Sequence, residues 1–421
     1  MTYLNRRQAL GGFAVTFELL ATGAFADAVV AKRKLVVVIC RGGLDGLSLS
    51  PPVGDPDYAG LRGPIAIAPV GAPAGALKLD GTFGLHPALP RVHDLALQGQ
   101  ARIAPAIATP DRERSHFEAQ DVLETGAGHV YSTSSGWLNR ALEAAGPKVK
   151  ALSVGPTAPL VLRGKVEAGS WSPGGLAQRD ARLPGILQDL YVHDRLLGPA
   201  LAEGLATEAM ARTAMADAAQ TNAPPVMQPV STSASPMQGA AVPAAPKPPG
   251  YGDARKIGAT LAGFMIQPGG VQVAAVSIDG FDTHANQGAG DGQLAARLAY
   301  VDAFFDGLHA GLGPAWNDTV VVMATEFGRT ARVNGTRGTD HGTASTALVL
   351  GGALKPGGII GDWPTLRQAS LFENRDTAPT LDMRGLFKGV LRDHMGIDRA
   401  ALDTKVFPDS QNVAPVAGIV T

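Results

Sequence analysis

Two apolar runs, each breaking off in acids and imidazoles, do most to restrict how this chain folds. Residues 271–284 read VQVAAVSIDGFDTH and residues 319–329 read TVVVMATEFGR. A run without an alternating polar face is a strand buried on both sides, the habit of parallel sheets covered by helices. In such sheets ligands gather beyond the carboxyl ends of the strands. The first run delivers Asp279, Asp282 and His284 to that position, and the second delivers Glu326 and Arg329; Asp340 and His341 follow in GTDHGT. Carboxylate oxygens and imidazole nitrogens collected at one sheet edge predict a site for a hard or borderline divalent metal ion.

Further strands are expected at 35–40, 102–108, 151–154, 160–162 and 347–350, alternating with helices at 135–145, 185–219, 254–265 and 293–312. This alternation predicts an α/β fold, a mostly parallel central sheet flanked by helices on both faces. Leu294, Leu298, Val301, Phe304, Phe305 and Leu308 follow helical spacing and form a core stripe. Trp137 and Trp316 read as packing residues, and His86, His93, His193, His309 and His394 as structural or solvated, since none has neighbouring ligands in the sequence.

Residues 221–250, TNAPPVMQPVSTSASPMQGAAVPAAPKPPG, are rich in Pro and Ala and have no hydrophobic period. They predict an exposed, extended insertion. Candidate ligands lie on both sides of it, Asp45 before and His284 and His341 after, so a shared site requires residues 27–421 to form a single domain. The first 26 residues combine Arg6 and Arg7, an apolar stretch, and the small-x-small site Ala24-Phe25-Ala26. They read as a twin-arginine signal peptide, implying the twin-arginine export machinery as a partner and a periplasmic or secreted location. Glu18 and Ala9 depart from the usual pattern, and an amphipathic terminal helix is the alternative. No stretch is long and apolar enough to predict a stable transmembrane anchor. A formal net charge of −1 offers no field for nucleic acid. Cys40 is the only cysteine, so neither an intramolecular disulfide nor a cysteine-based zinc site is available, and it reads as a small buried hydrophobe.

Two further segments carry candidate chemistry. The first strand runs into RGGLDGLS, where Gly42 and Gly43 permit a tight turn and Asp45 is presented at the strand end, though a turn with a solvated Asp accounts for it equally. In DRERSHFEAQ, Ser115 and Glu118 have capping-box spacing. The same helix start also offers free N–H groups to an anion or an ionised nucleophile, with Arg112, Arg114 and His116 alongside.

RGGLDGL, RSHFEAQDVLETG, DGFDTHANQ, TEFGRT and GTDHGT together resemble the DUF1501 family, placed in the alkaline phosphatase and sulfatase superfamily. The resemblance implies an alkaline phosphatase-like fold in which an Asp after the first strand, a hydroxyl nucleophile at a helix start, and later Asp and His residues hold metal ions. Asp45 then corresponds to the first Asp, Ser115 to the nucleophile, Asp279 and His284 to an Asp-His pair, and His341 to the last His; Asp282 is the alternative to Asp279. The superfamily's second Asp-His pair is replaced by Glu326-Phe327, which weakens a two-metal site, and His116 is the candidate for the missing nitrogen. The implied function is a metal-dependent hydrolase of phosphate or sulfate esters, with Zn and Mn as candidate ions and a small anionic ester or polymer as substrate. Arg114 or Arg329 would orient the anion. The alternative is a noncatalytic exported binding protein that keeps the scaffold.

Overall fold

The computed structural model describes residues 32–146, 149–155, 158–173, a few positions between 199 and 209, and 251–421. The signal segment 1–26, most of the helix expected at 185–219, His193 and the insertion at 221–250 lie outside the described residues.

The described strands, in chain order, are β1 (Lys34–Arg41), β2 (Leu77–Lys78), β3 (Gly84–Leu85), β4 (Ala101–Ala108), β5 (Ala151–Val154), β6 (Gly169–Trp171), β7 (Val273–Asp279), β8 (Thr319–Ala324), β9 (Ser345–Leu350) and β10 (Leu381–Asp382). Eight of them form one sheet in the order β10-β4-β9-β8-β1-β7-β5-β6, while β2 and β3 pair separately. Every pairing in the large sheet is parallel except those of β9, which runs antiparallel to both β4 and β8. Strands from both sides of residues 221–250 therefore share one sheet.

The period of two in a strand sorts the side chains of β1 onto two cores. Leu35, Val37 and Ile39 face the helices Trp137–Ala145 and Met383–Met395, where Trp137 stacks on Phe387 at 4.6 Å. Val36, Val38 and Cys40 face Pro90–Leu97, Tyr251–Ile266 and Gln293–Leu312. Full burial of each such aliphatic side chain contributes roughly 1.5–3 kcal/mol. The stripe expected along 293–312 is buried in the second core, and burial holds the Cys40 thiol well above its ordinary value. His86 and His394 are buried and hydrogen-bonded to the carbonyls of Ala289 and Lys34.

One expected strand is not formed: Leu160–Leu162 is a single 3₁₀ turn. Pro159 precedes it with a fixed φ of −69°, and the Val161 N–H donates to Glu124 Oε2 at 3.0 Å instead of joining a ladder. Among the described residues no helix is long and apolar enough to cross a membrane.

Candidate metal centre

The direction of the strands decides which loops meet. The carboxyl ends of β1, β4, β7 and β8 lie at one edge of the sheet, and because β9 is reversed, the loop that precedes it lies at that edge too. Residues after β7, after β8, before β9 and at the start of the helix His116–Thr125 thus converge.

Asp282 is the focus. Its Oδ1 stands 3.1 Å from His284 Nε2 and 3.4 Å from His341 Nε2, and its Oδ2 stands 3.5 Å from His116 Nε2. His284 Nε2 and His341 Nε2 are 3.0 Å apart. The ligand atoms of His116, Asp282 and His341 lie within 4.8 Å of one another.

Each imidazole is oriented through its other nitrogen. His116 Nδ1 meets Glu326 Oε1 at 2.8 Å, His341 Nδ1 meets the Arg114 carbonyl at 2.9 Å, and His284 Nδ1 meets Asp340 Oδ1 at 3.3 Å. All three partners are acceptors, so each Nδ1 carries the hydrogen, an assignment made from the bonding pattern. Three Nε2 lone pairs are then directed toward a carboxylate, an arrangement that demands a shared proton or a cation. The His116 Nε2 atom is buried and has no hydrogen-bond partner. Fixing an imidazole through Nδ1 is how proteins prepare an Nε2 ligand.

Burial and charge tune the donors. The hydrogen bond to Glu326 holds the His116 imidazole above its ordinary value, against the opposing pull of burial. Burial lowers the His341 value and outweighs the Arg114 carbonyl. At Asp282 burial pushes upward, but the hydrogen bond and charge of Arg329, with His284 and His116, bring the net value below the ordinary carboxylate range.

The remaining candidates are placed as follows. Glu326 is fully buried and stands behind His116 rather than among the ligand atoms; it accepts from the Gly42 N–H at 2.8 Å, Gln120 at 3.2 Å and Thr325 at 2.9 Å as well. Arg329 is buried: it donates to the carbonyls of Gly43, Gly42, Thr339 and Phe281 and forms an ion pair with Asp282. It positions the Asp282 carboxylate, and its side chain is fully buried. Asp45 does not join the centre, because its buried carboxylate pairs with Arg62 and accepts from Ser48 at 2.9 Å and Gln287 at 2.7 Å. Asp279 is exposed at the end of β7 and is not among the clustered ligand atoms, so the Asp that meets the imidazoles is Asp282.

Ser115 stands between Arg114 and His116. Its backbone is extended, as an N-cap requires, yet its hydroxyl bonds the Glu118 carboxylate instead of a helix N–H. The Arg114 guanidinium is taken up by Asp376 at 2.9 Å and Glu373 at 2.5 Å. Phe327 packs against both His116 and His341, with ring centroids 4.8 Å apart in each case. The adjoining turn is possible only with glycine: a Cβ on Gly43, at φ +65°, would fall 2.4 Å from the Phe327 ring, and one on Gly42, at φ +113°, 2.6 Å from the Asp282 nitrogen. Three groups were not singled out in the sequence. Arg375 donates to the His341 carbonyl at 2.8 Å, Asp376 ties Arg114 down, and Arg62 neutralises Asp45. None carries a local motif; Gln287, within DGFDTHANQ, had one.

Comparison with known proteins places the chain among distant likenesses and one family. Solved structures it is similar to include the lipoteichoic acid synthase LtaP from Listeria monocytogenes, 9% identical, covering 89% of this chain and 76% of that one at a TM-score of 0.40. Another is the C-terminal periplasmic domain of EcEptC from Escherichia coli, in complex with Zn, 10% identical over 91% of this chain and 86% of that one, with a TM-score of 0.36. The phosphonate monoester hydrolase of Agrobacterium radiobacter is 11% identical, covering 87% and 74%, with a TM-score of 0.37. No curated protein matches the sequence. The pattern of the family described as "Protein of unknown function (DUF1501)" matches residues 32–406, and the chain belongs to that family.

Proposed function

We propose that this chain is an exported metal-dependent hydrolase of phosphate or sulfate esters on an alkaline phosphatase-like scaffold, holding one divalent cation through His116, Asp282, His284 and His341. The observation that carries this reading is the set of three imidazoles whose Nδ1 atoms are tied back and whose Nε2 atoms face one carboxylate. Ligands at about 2.0–2.1 Å from a tetrahedral ion are about 3.3–3.4 Å apart. The donor separations here, 3.0 Å between His284 and His341 and 3.1, 3.4 and 3.5 Å to Asp282, fall around that value. The nitrogen-rich donor set favours Zn over Mn, Mg or Ca.

When bound, such a cation supplies Lewis-acid polarisation of an ester oxygen and lowers the pKa of a nearby hydroxyl or water. The chain's own residues do the rest. Ser115 Oγ donates its hydrogen to Glu118, so the carboxylate is placed to take the proton as the oxygen attacks the phosphorus or sulfur. The bond to the ester's alcohol oxygen breaks and the alcohol leaves with a proton from water, which afterwards hydrolyses the seryl ester. The start of the helix His116–Thr125 favours negative charge beside that oxygen. Arg329 and Glu326 hold Asp282 and His116 in place without touching the substrate.

A second reading, a noncatalytic exported binding protein, is favoured by one observation: the guanidinium groups of Arg114 and Arg329 are already engaged within the protein. The deciding measurement is the metal content of the gel-filtered protein by element-resolved mass spectrometry, followed by turnover of aryl phosphate and aryl sulfate. Near-stoichiometric ion, lost together with turnover in a His284→Ala/His341→Ala double variant, is expected. A folded protein that stays metal-free when offered Zn and Mn overturns the proposal. With an active parent, Ser115→Ala separates a serine nucleophile, which would abolish turnover, from an attacking water, which would preserve it.

A further inference from the structure

Beside the metal-binding loop lies a cavity of about 230 Å³ that the ester chemistry does not explain. Asp340 forms the wall between the two: its carboxylate meets His284 Nδ1 and accepts from Asn334 Nδ2 at 3.0 Å. Arg375, also on the wall, donates to the His341 carbonyl, pairs with Asp376 at 3.4 Å and leaves part of its side chain exposed. The floor is apolar and includes Leu371.

Thr330 and Asn334, also on the lining, are hydrogen-bonded within the protein, whereas Arg332, Asn374 and Gln368 keep polar atoms uncommitted. Arg332 is exposed, and among the described residues its side chain has no hydrogen bond or ion pair. The Asn374 amide is likewise unengaged, and Gln368 uses only its Nε2, donating to the Asn374 carbonyl at 3.0 Å. Glu373 and Asn374 are consecutive non-glycine residues in left-handed backbone, at φ 51° and 54°. Such strain persists where the surroundings over-determine it, and it gathers at ligand clamps. An uncommitted guanidinium, a second one half-exposed and two carboxamides suit a ligand with both a negative charge and hydroxyl groups. The volume is below the roughly 300–1,000 Å³ of pockets for drug-sized ligands, so it takes one ring-sized unit.

We propose that this cavity binds a hydroxyl-bearing, anionic, ring-sized unit, with Arg332 as its charge contact and Asn374 and Gln368 as its hydroxyl contacts. If the centre is an ester hydrolase, that unit is the alcohol portion of the substrate, and the preferred esters are those of acidic sugars or similar polyols. That assignment rests on the hydrolase reading; the binding itself does not.

The test is calorimetric titration of the full chain with glucuronate, which has the charge and hydroxyls but no ester, alongside neutral glucose. Saturable binding of glucuronate, at least about tenfold weaker for glucose and for Arg332→Glu, is expected, with Arg332→Gln intermediate. His116→Ala, which alters the metal centre, is expected to leave glucuronate binding intact. Absent binding, equal affinity for glucose, an unaffected Arg332→Glu variant, or loss in His116→Ala overturns the proposal. Should the parent turn over no ester yet bind glucuronate as described, the hydrolase reading fails and the anion site stands.

Discussion

Replacing Glu326 with Gln tests the idea that the centre depends on a buried carboxylate that never touches the ion. The change is nearly isosteric. The Gln oxygen can keep the bonds from Gly42, His116 and Gln120 at the Oε1 position, and the Thr325 hydroxyl can turn to accept from the new NH₂. What disappears is the negative charge behind His116, 2.8 Å from Nδ1 in a fully buried position. A hydrogen bond to a charged group is worth about 1.5–3 kcal/mol. Loss of an outer carboxylate behind a ligating imidazole costs about 10–100-fold in metal affinity, or about 1.4–2.7 kcal/mol, and the two scales agree. The pH dependence changes as well. In wild type the Glu326 bond raises the His116 value, so protons compete with metal from a higher pH downward, and affinity falls as pH drops through that raised value. In Glu326→Gln that fall begins at lower pH. Zn titration against a competing chelator from pH 8 to pH 5.5 reads both effects. An affinity within threefold of wild type, with an unmoved pH profile, refutes the reasoning.

Two further expectations concern stability. Arg62→Ala leaves the Asp45 carboxylate buried without its cation, which costs about 3–5 kcal/mol in urea unfolding; a loss below about 1 kcal/mol contradicts the ion-pair role given to Asp45. His394 is buried, and burial, partly offset by its bond to the Lys34 carbonyl, lowers its value to about 4. The unfolded chain binds that proton near pH 6.5, so stability is full above 6.5 and declines by about 3 kcal/mol as pH falls to about 4. His394→Gln should lack this component, and parallel unfolding profiles for the two proteins between pH 7 and pH 4 rule it out.

The sheet was readable because its central strands are unbroken apolar runs, and β5 and β8 coincide with their expected spans. The turn at 160–162 was not, since three apolar residues have no period by which to tell a strand from a buried turn. At the site, the clustering of Asp282, His284, Glu326 and His341 at strand ends was legible, but the division of labour was not. Which carboxylate stands among the imidazoles and which stands behind one is not written in residue type, and only the 2.8 Å contact to Nδ1 places Glu326 behind His116. Asp45 looked like a ligand because its partner Arg62 lies in an unremarkable stretch, and the match is made by folding alone. Arg329, read as an anion clamp, is consumed by carbonyls from turns whose approach no spacing reveals.

The position of β1 has a consequence for how the chain acquires its structure. Both of its neighbours come from the far half of the sequence, with Leu35 beside Val273 on one side and Val320 on the other. The first strand to be synthesised therefore has no ladder partner until more than half of the chain exists. Loop-closure entropy must be met before the central pairing gains anything, a cost that slows folding. The cluster at the sheet edge, drawing on residues from 116 to 341, is complete only after that closure, so any ligand held by it would be taken up at the last stage of folding rather than the first.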